Sequence, residues 1–245
     1  MKAVILAAGV GSRLLPRTAD RPKPLVEVGG RPLLLRTLDR LEEVGLRGAD
    51  VVVVAGYREA MVREAVAPRR VTVVSNANYE AWNNFWSLYL ARHAAGDGGF
   101  VQLDGDVLFE AEVIRRVLDC PGPAALAVDI RPEPDPETMK VEADADGAIR
   151  TISKKIPARR ALGEFVGVSR VDPPLAQIVF TELRALADEG LTDEYYERAY
   201  QRLIARGAGP FRVVDVSDLV SIEIDDEADL RRAEALLCEP RRHAR

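Results

Sequence analysis

The first 110 residues alternate short apolar runs with longer segments in which apolar residues recur at helical spacing. The short runs are almost continuously apolar, which is typical of strands that are buried on both faces of a parallel sheet. The pattern predicts strands in KAVILAA, ADVVVVAG, RVTVVSN and GFVQLDGDVLF, and helices in LLLRTLDRLEEVG, EAMVREAV and WNNFWSLYLARHAA. Because right-handed crossovers place helices on both faces of such a sheet, we predict an α/β fold.

The second half of the chain has a more antiparallel pattern. A helix in AEVIRRVLD precedes PGPAALAVDI, a turn-rich RPEPDPE segment, and MKVEADADGAIRTISKKI, which predicts a hairpin turning at Asp146 and Gly147. GEFVGVSRV, FRVVDV and VSIEI predict strands, whereas DPPLAQIVFTELRALADEG, DEYYERAYQRLIARG and DDEADLRRAEALL predict helices. The central sheet is therefore predicted to be mixed and mostly parallel.

Composition narrows the class of protein. A chain of 245 residues with 47% hydrophobic content can bury the core of one large α/β domain. The formal net charge of −5 gives no electrostatic reason to expect a nucleic-acid partner. The two cysteines form no CxxC pair, so we expect neither a disulfide framework nor a zinc site, and we expect a cytoplasmic protein. No apolar stretch reaches about 18 residues, and glycines interrupt the apolar start, so we expect neither a membrane span nor a signal peptide.

The segment LAAGVGSRLLPRTADRPKPL, residues 6–25, places glycines and basic residues directly after the first predicted strand. Glycines at a strand end free backbone N–H groups to hold phosphate. The dinucleotide-binding motif would need a third glycine where Leu14 stands, and the P-loop would need a lysine directly after Gly11. Arg13 offers a planar fork for phosphate oxygens, and Lys23 offers a compact charge between two prolines that restrict its backbone. The segment predicts a site for a small anion.

Carboxylates follow two of the predicted strands. Asp104 and Asp106 come after the fourth strand, and Asp225 lies between a short strand and the last helix. Mg²⁺ takes hard oxygen ligands, often one or two carboxylates with phosphate oxygens and water. Asp-Gly is also common in turns and Asp is a good helix cap, so the residues alone leave both interpretations open, and we assign Asp226 to capping.

The pattern LAAGxGSRLxPxTxxxPKPLVxVGGRPLL over residues 6–34 resembles the signature of nucleotidyltransferases that join a nucleoside triphosphate to a phosphorylated small molecule. The segments NANYEAWNNFWSLYLARH, GEFVGVSR and DEYYERAYQRLI resemble bacterial phosphocholine and phosphonate cytidylyltransferases. The resemblance covers nearly the whole chain and implies a Rossmann-like nucleotidyltransferase fold. We expect a single domain over residues 1–240, with a nucleotide-binding half (1–110), an acceptor-binding half (111–240) and a frayed tail (241–245).

The resemblance implies Mg²⁺-dependent transfer of CMP from CTP to a small phosphate- or phosphonate-bearing acceptor, such as phosphocholine or 2-aminoethylphosphonate, with release of pyrophosphate. Such an acceptor is already ionised near neutral pH, so it needs no general base, which agrees with a chain that has only His93 and His243. Two alternatives stay open: a sugar 1-phosphate or inositol phosphate acceptor with CTP, UTP, GTP or dTTP, and a non-catalytic nucleotide-binding regulatory module. An NAD-dependent reductase is disfavoured by Leu14.

The resemblance also implies roles for individual residues. Catalytic roles fall to Arg13, Lys23 and Lys154, with Lys155 as the alternative to Lys154, and metal ligation falls to Asp106 and Asp225, with Glu223 as a helper. The nucleotide is expected to contact the opening loop and two further positions: Leu6, Ala7, Ala8, Gly9, Gly11, Ser12, Asn84 and Asp104. Acceptor contacts are expected from Trp86, Glu164, Tyr195 and Tyr196, although Trp82 and Trp86 also suit core packing. Aromatic faces would suit a quaternary ammonium such as choline. The oligomeric state stays open, a homodimer included.

Overall fold

The computed structural model describes residues 1–131 and 134–238. Its strands are β1 Lys2–Ala7, β2 Glu27–Val28, β3 Arg31–Pro32, β4 Val51–Ala55, β5 Thr72–Ser75, β6 Phe100–Asp104, β7 Val107–Phe109, β8 Ala124–Ile130, β9 Lys140–Ala143, β10 Ile149–Ser153, β11 Gly163–Val171, β12 Phe211–Asp215 and β13 Ser221–Glu223. Its helices are α1 Leu33–Glu43, α2 Glu59–Val66, α3 Asn84–Leu90, α4 Arg92–Ala95, α5 Ala111–Asp119, α6 Leu175–Asp188, α7 Glu197–Ala205 and α8 Glu227–Cys238. Within the described ranges, none of these helices is long and apolar enough to cross a bilayer.

A nine-stranded mixed sheet forms the centre of the molecule. Its order is β10–β9–β11–β6–β1–β4–β5, with β8 paired to β11 and β12 paired to β8. The strands β6, β1, β4 and β5 run parallel, as the continuous apolar runs predict. In the second half β11 pairs antiparallel with β6, β8 and β9, and β9 and β10 form the predicted hairpin. The predicted α/β fold with a mixed central sheet is confirmed.

Alternate residues of the central strands face two different cores. Val4 and Leu6 of β1 belong to the core that includes α3, α6 and α7. Ala3, Ile5 and Ala7 belong to the opposite core, which includes α1, α2 and α5. Because successive side chains of a strand point to opposite faces, a strand between two helical layers needs an apolar residue at every position. The predicted helices on both faces of the sheet are confirmed.

A separate two-stranded sheet, the β7–β13 ladder, joins a late part of the chain to the loop that follows β6. β13 pairs antiparallel with β7, with Glu223 opposite Val107, and the backbone N–H of Ile224 donates to the Asp106 carbonyl at 2.9 Å. A third, smaller core beneath α8 includes Leu14 of the opening loop and Leu230. The ladder and this core hold the segment around residue 225 beside the loops that follow β1 and β6.

Two helix predictions are corrected at their ends. The helix predicted over DEYYERAYQRLIARG begins only at Glu197, so Tyr195 and Tyr196 lie in the preceding loop. The Tyr196 backbone N–H donates to Asn84 Oδ1 at 3.1 Å, which holds this loop against the start of α3. The predicted helix WNNFWSLYLARHAA is split into α3 and α4, and Asn83 caps α3 by accepting from the Asn84 backbone N–H. His243 and the predicted frayed tail lie outside the described residues.

Candidate active site

The residues predicted from the sequence converge on one cleft at the carboxyl ends of the parallel strands. The cleft has a volume of about 590 Å³ and lies where the loops after β1 and β6 meet. Ligands of such open sheets bind in this position. Most of the predicted site residues line the cleft: Leu6, Ala8, Gly9, Gly11, Ser12, Arg13, Lys23, Asn84, Asp104, Asp106, Lys154, Glu164, Tyr195 and Asp225.

The opening loop folds over the stem of Lys23. Gly11 has a φ of 71°, a left-handed conformation that favours glycine, and its carbonyl accepts a hydrogen bond from Thr18 Oγ1 at 2.8 Å. A Cβ placed on Gly11 would lie 2.7 Å from Lys23 Cβ. Gly9, by contrast, has open space where its Cβ would be. The loop therefore needs a glycine at position 11 for close backbone approach to Lys23.

We expect Gly11→Ala to lower the free energy of unfolding by at least about 1 kcal/mol, because it adds left-handed strain and a close contact with the Lys23 stem. Gly9→Ala is the control in the same loop, and we expect it to stay within about 0.5 kcal/mol of the wild type. Urea denaturation of both variants measures the difference. Equal stability of the two variants would show that the loop does not need this approach.

Lys23 lies between two of the predicted metal-ligating carboxylates. Its Nζ is 2.6 Å from Asp106 Oδ2 and 2.7 Å from Asp225 Oδ1. Burial alone would lower the pKa of Lys23, but the charges of Asp106 and Asp225 outweigh burial and raise that pKa above its usual value. Arg13 Nη2 approaches Asp225 Oδ2 at 2.7 Å from the exposed side of the cleft. Two cations and two carboxylates thus share one end of the cleft.

A third carboxylate joins this cluster. Glu223, placed by the β7–β13 ladder, offers an oxygen that lies within 4.8 Å of oxygens from Asp106 and Asp225. Desolvation by the cleft walls, followed by the charges of Asp106 and Asp225, raises the pKa of Glu223, although much of its side chain still meets solvent. Three hard oxygen donors with excess negative charge fit a divalent cation such as Mg²⁺. Sequence reasoning named Glu223 only as a helper, and the geometry makes it an equal candidate ligand.

Asp104 is held differently from Asp106. Its Oδ1 accepts from Gln102 Nε2 at 2.9 Å, and its Oδ2 accepts from the Tyr196 hydroxyl at 3.1 Å. Gln102 Oε1 in turn accepts from Ser169 Oγ at 2.9 Å. Burial, followed by the charges of Glu197 and Asp106, raises the pKa of Asp104 well above its usual value. The Asp104 carboxylate therefore lines the cleft with both of its oxygens held by hydrogen bonds from protein side chains.

Three predicted contacts are corrected. Tyr196 is fully buried and lies behind Asp104, so it does not reach an acceptor in the cleft. Trp86 packs in the core against Trp82 and Tyr89, with ring centroids 4.5 and 4.8 Å away, and Trp82 lines the cleft instead. The Ala7 side chain faces the opposite core, because alternate residues of β1 point to opposite faces of the sheet.

We expect Tyr196→Phe to lower the free energy of unfolding by about 1–3 kcal/mol, because it removes the hydrogen bond that the fully buried Tyr196 hydroxyl donates to the partly buried carboxylate of Asp104. Tyr195→Phe is the matched control: its side chain is exposed, so we expect a change within about 0.5 kcal/mol. Thermal and urea unfolding of both variants test the difference. If the two substitutions cost the same, the hydrogen bond to Asp104 contributes nothing to stability.

The cleft is also lined by residues to which the sequence predicts no role in the site: Tyr79, Trp82, Arg131, Glu137, Asp193 and Glu197. Of the two lysines left open, Lys154 lines the cleft and Lys155 does not, and Lys154 Nζ lies 4.7 Å from the centre of the Tyr195 ring. Burial raises the pKa of Glu164, with Arg131 opposing that shift. The sequence signal for Glu197 is its position next to Tyr196 in the DEYYE segment, which the resemblance associates with the acceptor.

Comparison with known proteins agrees with this geometry. CMP-5′-(3-aminopropyl)phosphonate synthase from Streptomyces rubellomurinus is 35% identical over 258 aligned residues, which cover all of this chain and 40% of that protein. Choline-phosphate cytidylyltransferase from Streptococcus pneumoniae is 36% identical over 104 residues, 42% of this chain and 44% of the relative. The matched regions thus span less than half the length of these two relatives.

A solved structure of CTP:phosphocholine cytidylyltransferase from Streptococcus pneumoniae superposes on this fold with a TM-score of 0.80 and 26% identity, covering 96% of this chain and 98% of that one. The family profile described as MobA-like NTP transferase domain matches residues 3–170, well over half of the chain. That match includes the opening loop, Lys23 and Asp106. The chain therefore belongs to the MobA-like NTP transferase domain family.

Proposed function

We propose that this protein is a cytidylyltransferase of the EC 2.7.7 type, which transfers CMP from CTP to a small acceptor bearing a phosphate or phosphonate group. The observation that carries the proposal is the position of Lys23 between Asp106 and Asp225, with Arg13 beside them, under a glycine loop. The names of the two relatives, a CMP-phosphonate synthase and a choline-phosphate cytidylyltransferase, favour cytidine and this acceptor class.

Asp106, Glu223 and Asp225 are the residues that would hold Mg²⁺ in this site. When bound, Mg²⁺ neutralises phosphate oxygens and makes the α-phosphorus a better electrophile. In this structure the Lys23 ammonium forms ion pairs with both Asp106 and Asp225. Lys23 is therefore within reach of any phosphate that approaches these carboxylates.

The remaining charges fit the departing and incoming groups. The backbone N–H groups of the glycine loop and the exposed guanidinium of Arg13 suit the β- and γ-phosphates. Lys23 and Lys154 would offset the repulsion between the α-phosphate and an anionic acceptor, since both ammonium groups line the same cleft. The acceptor oxygen attacks the α-phosphorus, and the bond from that phosphorus to the bridging oxygen breaks and releases pyrophosphate.

This reaction does not require a proton acceptor in the protein. A phosphate or phosphonate oxygen is already ionised near neutral pH, so alignment and charge neutralisation supply the catalysis. His93 is not among the residues that line the cleft. The site is thus built from cations, carboxylates and backbone amides.

Pyrophosphate release tests the proposal. Purified protein is incubated with Mg²⁺ and each of CTP, UTP, GTP and dTTP, combined in turn with 2-aminoethylphosphonate, phosphocholine, inositol phosphate and glucose 1-phosphate. We expect release with CTP and one of the first two acceptors, and loss of release with excess EDTA. Release only with a sugar or inositol phosphate would favour the alternative acceptor class. Nucleotide binding without any turnover would favour a non-catalytic regulatory module.

A further inference from the structure

Glu197 is a buried carboxylate of the cleft lining with an unsatisfied oxygen. It is 5% exposed, it is the first residue of α7, and it lines the cleft. Among the described residues, its Oε2 has no hydrogen-bond partner. Burial raises the pKa of Glu197 to about 7. Because buried polar atoms normally have partners, an unpartnered oxygen on a residue that lines a ligand cleft points to a donor supplied by the ligand.

Side chains that attract ammonium groups share the cleft lining with Glu197, and Glu197 already lies near the positive charge of Lys154. Tyr195, two residues before Glu197, lines the same cleft, and its ring holds the Lys154 ammonium 4.7 Å from its centre. Trp82 adds a second aromatic side chain to the lining, and Asp193 adds a further carboxylate. Aromatic ring faces and carboxylates both attract ammonium groups. The cleft lining is therefore suited to a positively charged tail.

We propose that Glu197 determines acceptor specificity by accepting a hydrogen bond from a primary ammonium group on the acceptor, which the Tyr195 ring face also contacts. The inference rests on the proposed cytidylyl transfer and narrows its acceptor to an ω-amino phosphonate or an ω-amino phosphate ester. A quaternary ammonium has no N–H group, so it would leave Glu197 Oε2 unsatisfied. A neutral tail would likewise leave Glu197 Oε2 without a hydrogen-bond donor.

The alternative role for Glu197 is structural. It begins α7, and a negative charge in the first turn of a helix is favourable. A purely structural role predicts that substitution changes stability but does not change the discrimination between acceptors. The test must therefore compare acceptors that differ only at the tail.

The experiment pairs acceptors with and without an ammonium N–H. 2-Aminoethylphosphonate is compared with propylphosphonate, which has a methyl group in place of the ammonium, and phosphoethanolamine is compared with phosphocholine. Each acceptor is titrated calorimetrically into the protein, and its kcat/KM is measured with CTP and Mg²⁺. The proteins are the wild type, Glu197→Gln, and Glu194→Gln as a control, because Glu194 lies just before this segment and does not line the cleft.

We expect the wild type and Glu194→Gln to prefer the amino acceptor by about 10- to 100-fold, the value of a hydrogen bond to a charged group. In Glu197→Gln we expect this preference to fall below about threefold, mainly through KM and binding affinity, because a neutral amide attracts the ammonium far less strongly. Retention of the preference in Glu197→Gln, equal binding of both members of each pair, or a wild-type preference for phosphocholine would overturn the inference. Discrimination in binding without turnover of any acceptor would support the ammonium site and count against the proposed transfer instead.

Discussion

Replacement of Lys23 by methionine is expected to lower kcat for CMP transfer by at least about 10²-fold. Methionine preserves the apolar stem that packs under the Gly11 loop but removes the ammonium between Asp106 and Asp225. Groups that neutralise charge developing in a transition state are typically worth about 10²–10³ in rate, and an anion attacking an anion depends on them strongly. The fold should survive, because Lys23 is not part of the hydrophobic cores and Arg13 still pairs with Asp225 in the variant.

Lys155→Met is the control for this substitution. Lys155 follows Lys154 in sequence but does not line the cleft, so its loss should change kcat less than about twofold. Circular dichroism and thermal unfolding confirm that both variants are folded before the rates are compared. A Lys23→Met enzyme that retains more than a tenth of wild-type kcat would remove Lys23 from the catalytic machinery.

Asp225→Asn is expected to lower kcat/KM by about 10²–10³-fold and to raise the Mg²⁺ concentration needed for half-maximal rate. The substitution removes one carboxylate charge from the cluster formed with Asp106 and Glu223 and contacted by Lys23. The measurement is the initial rate as a function of Mg²⁺ concentration at fixed CTP.

The neighbouring residue supplies a closely matched control. Asp226 caps α8 by accepting from the backbone N–H groups of Ala228 and Asp229 at 2.8 and 2.9 Å. Asparagine is an equally good helix cap, so Asp226→Asn should keep both its rate and its Mg²⁺ dependence. If Asp226→Asn loses activity and Asp225→Asn does not, the assignment of ligand and cap is reversed.

Identifiable features of the sequence predict the fold and the proximity of Gly11, Lys23 and Asp106. Continuous apolar runs such as VVVV at the position of β4 indicate strands between two helical layers, and parallel strands bring their carboxyl ends together. That rule alone places Gly11, Lys23 and Asp106 in one cleft. The position of Asp225 is predicted only from the family resemblance, because the β7–β13 ladder that holds it in the cleft pairs distant parts of the chain.

The residues expected to contact the acceptor were harder to predict, because their positions depend on side-chain direction. Trp82 and Trp86 are both aromatic and lie close together in sequence, yet only Trp82 lines the cleft, since Trp86 packs against Tyr89 in the core. The sequence predicts Tyr196 and Glu197 within one helix, but the helix begins at Glu197. The Tyr196 side chain therefore lies behind Asp104, whereas Glu197 lines the cleft. Single-residue differences of this kind come from tertiary packing, which hydrophobic periodicity does not resolve.

The most direct test of the account is ³¹P NMR of the purified protein with Mg²⁺, CTP and 2-aminoethylphosphonate. Transfer of CMP predicts loss of the triphosphate signals, a signal for pyrophosphate, and a coupled pair of resonances in which one phosphorus belongs to the phosphonate and the other to the CMP group. The same tube with Lys23→Met should keep its CTP unchanged. A wild-type spectrum that shows only CTP and free phosphonate after prolonged incubation, while a sugar 1-phosphate in a parallel tube is converted, would contradict the account.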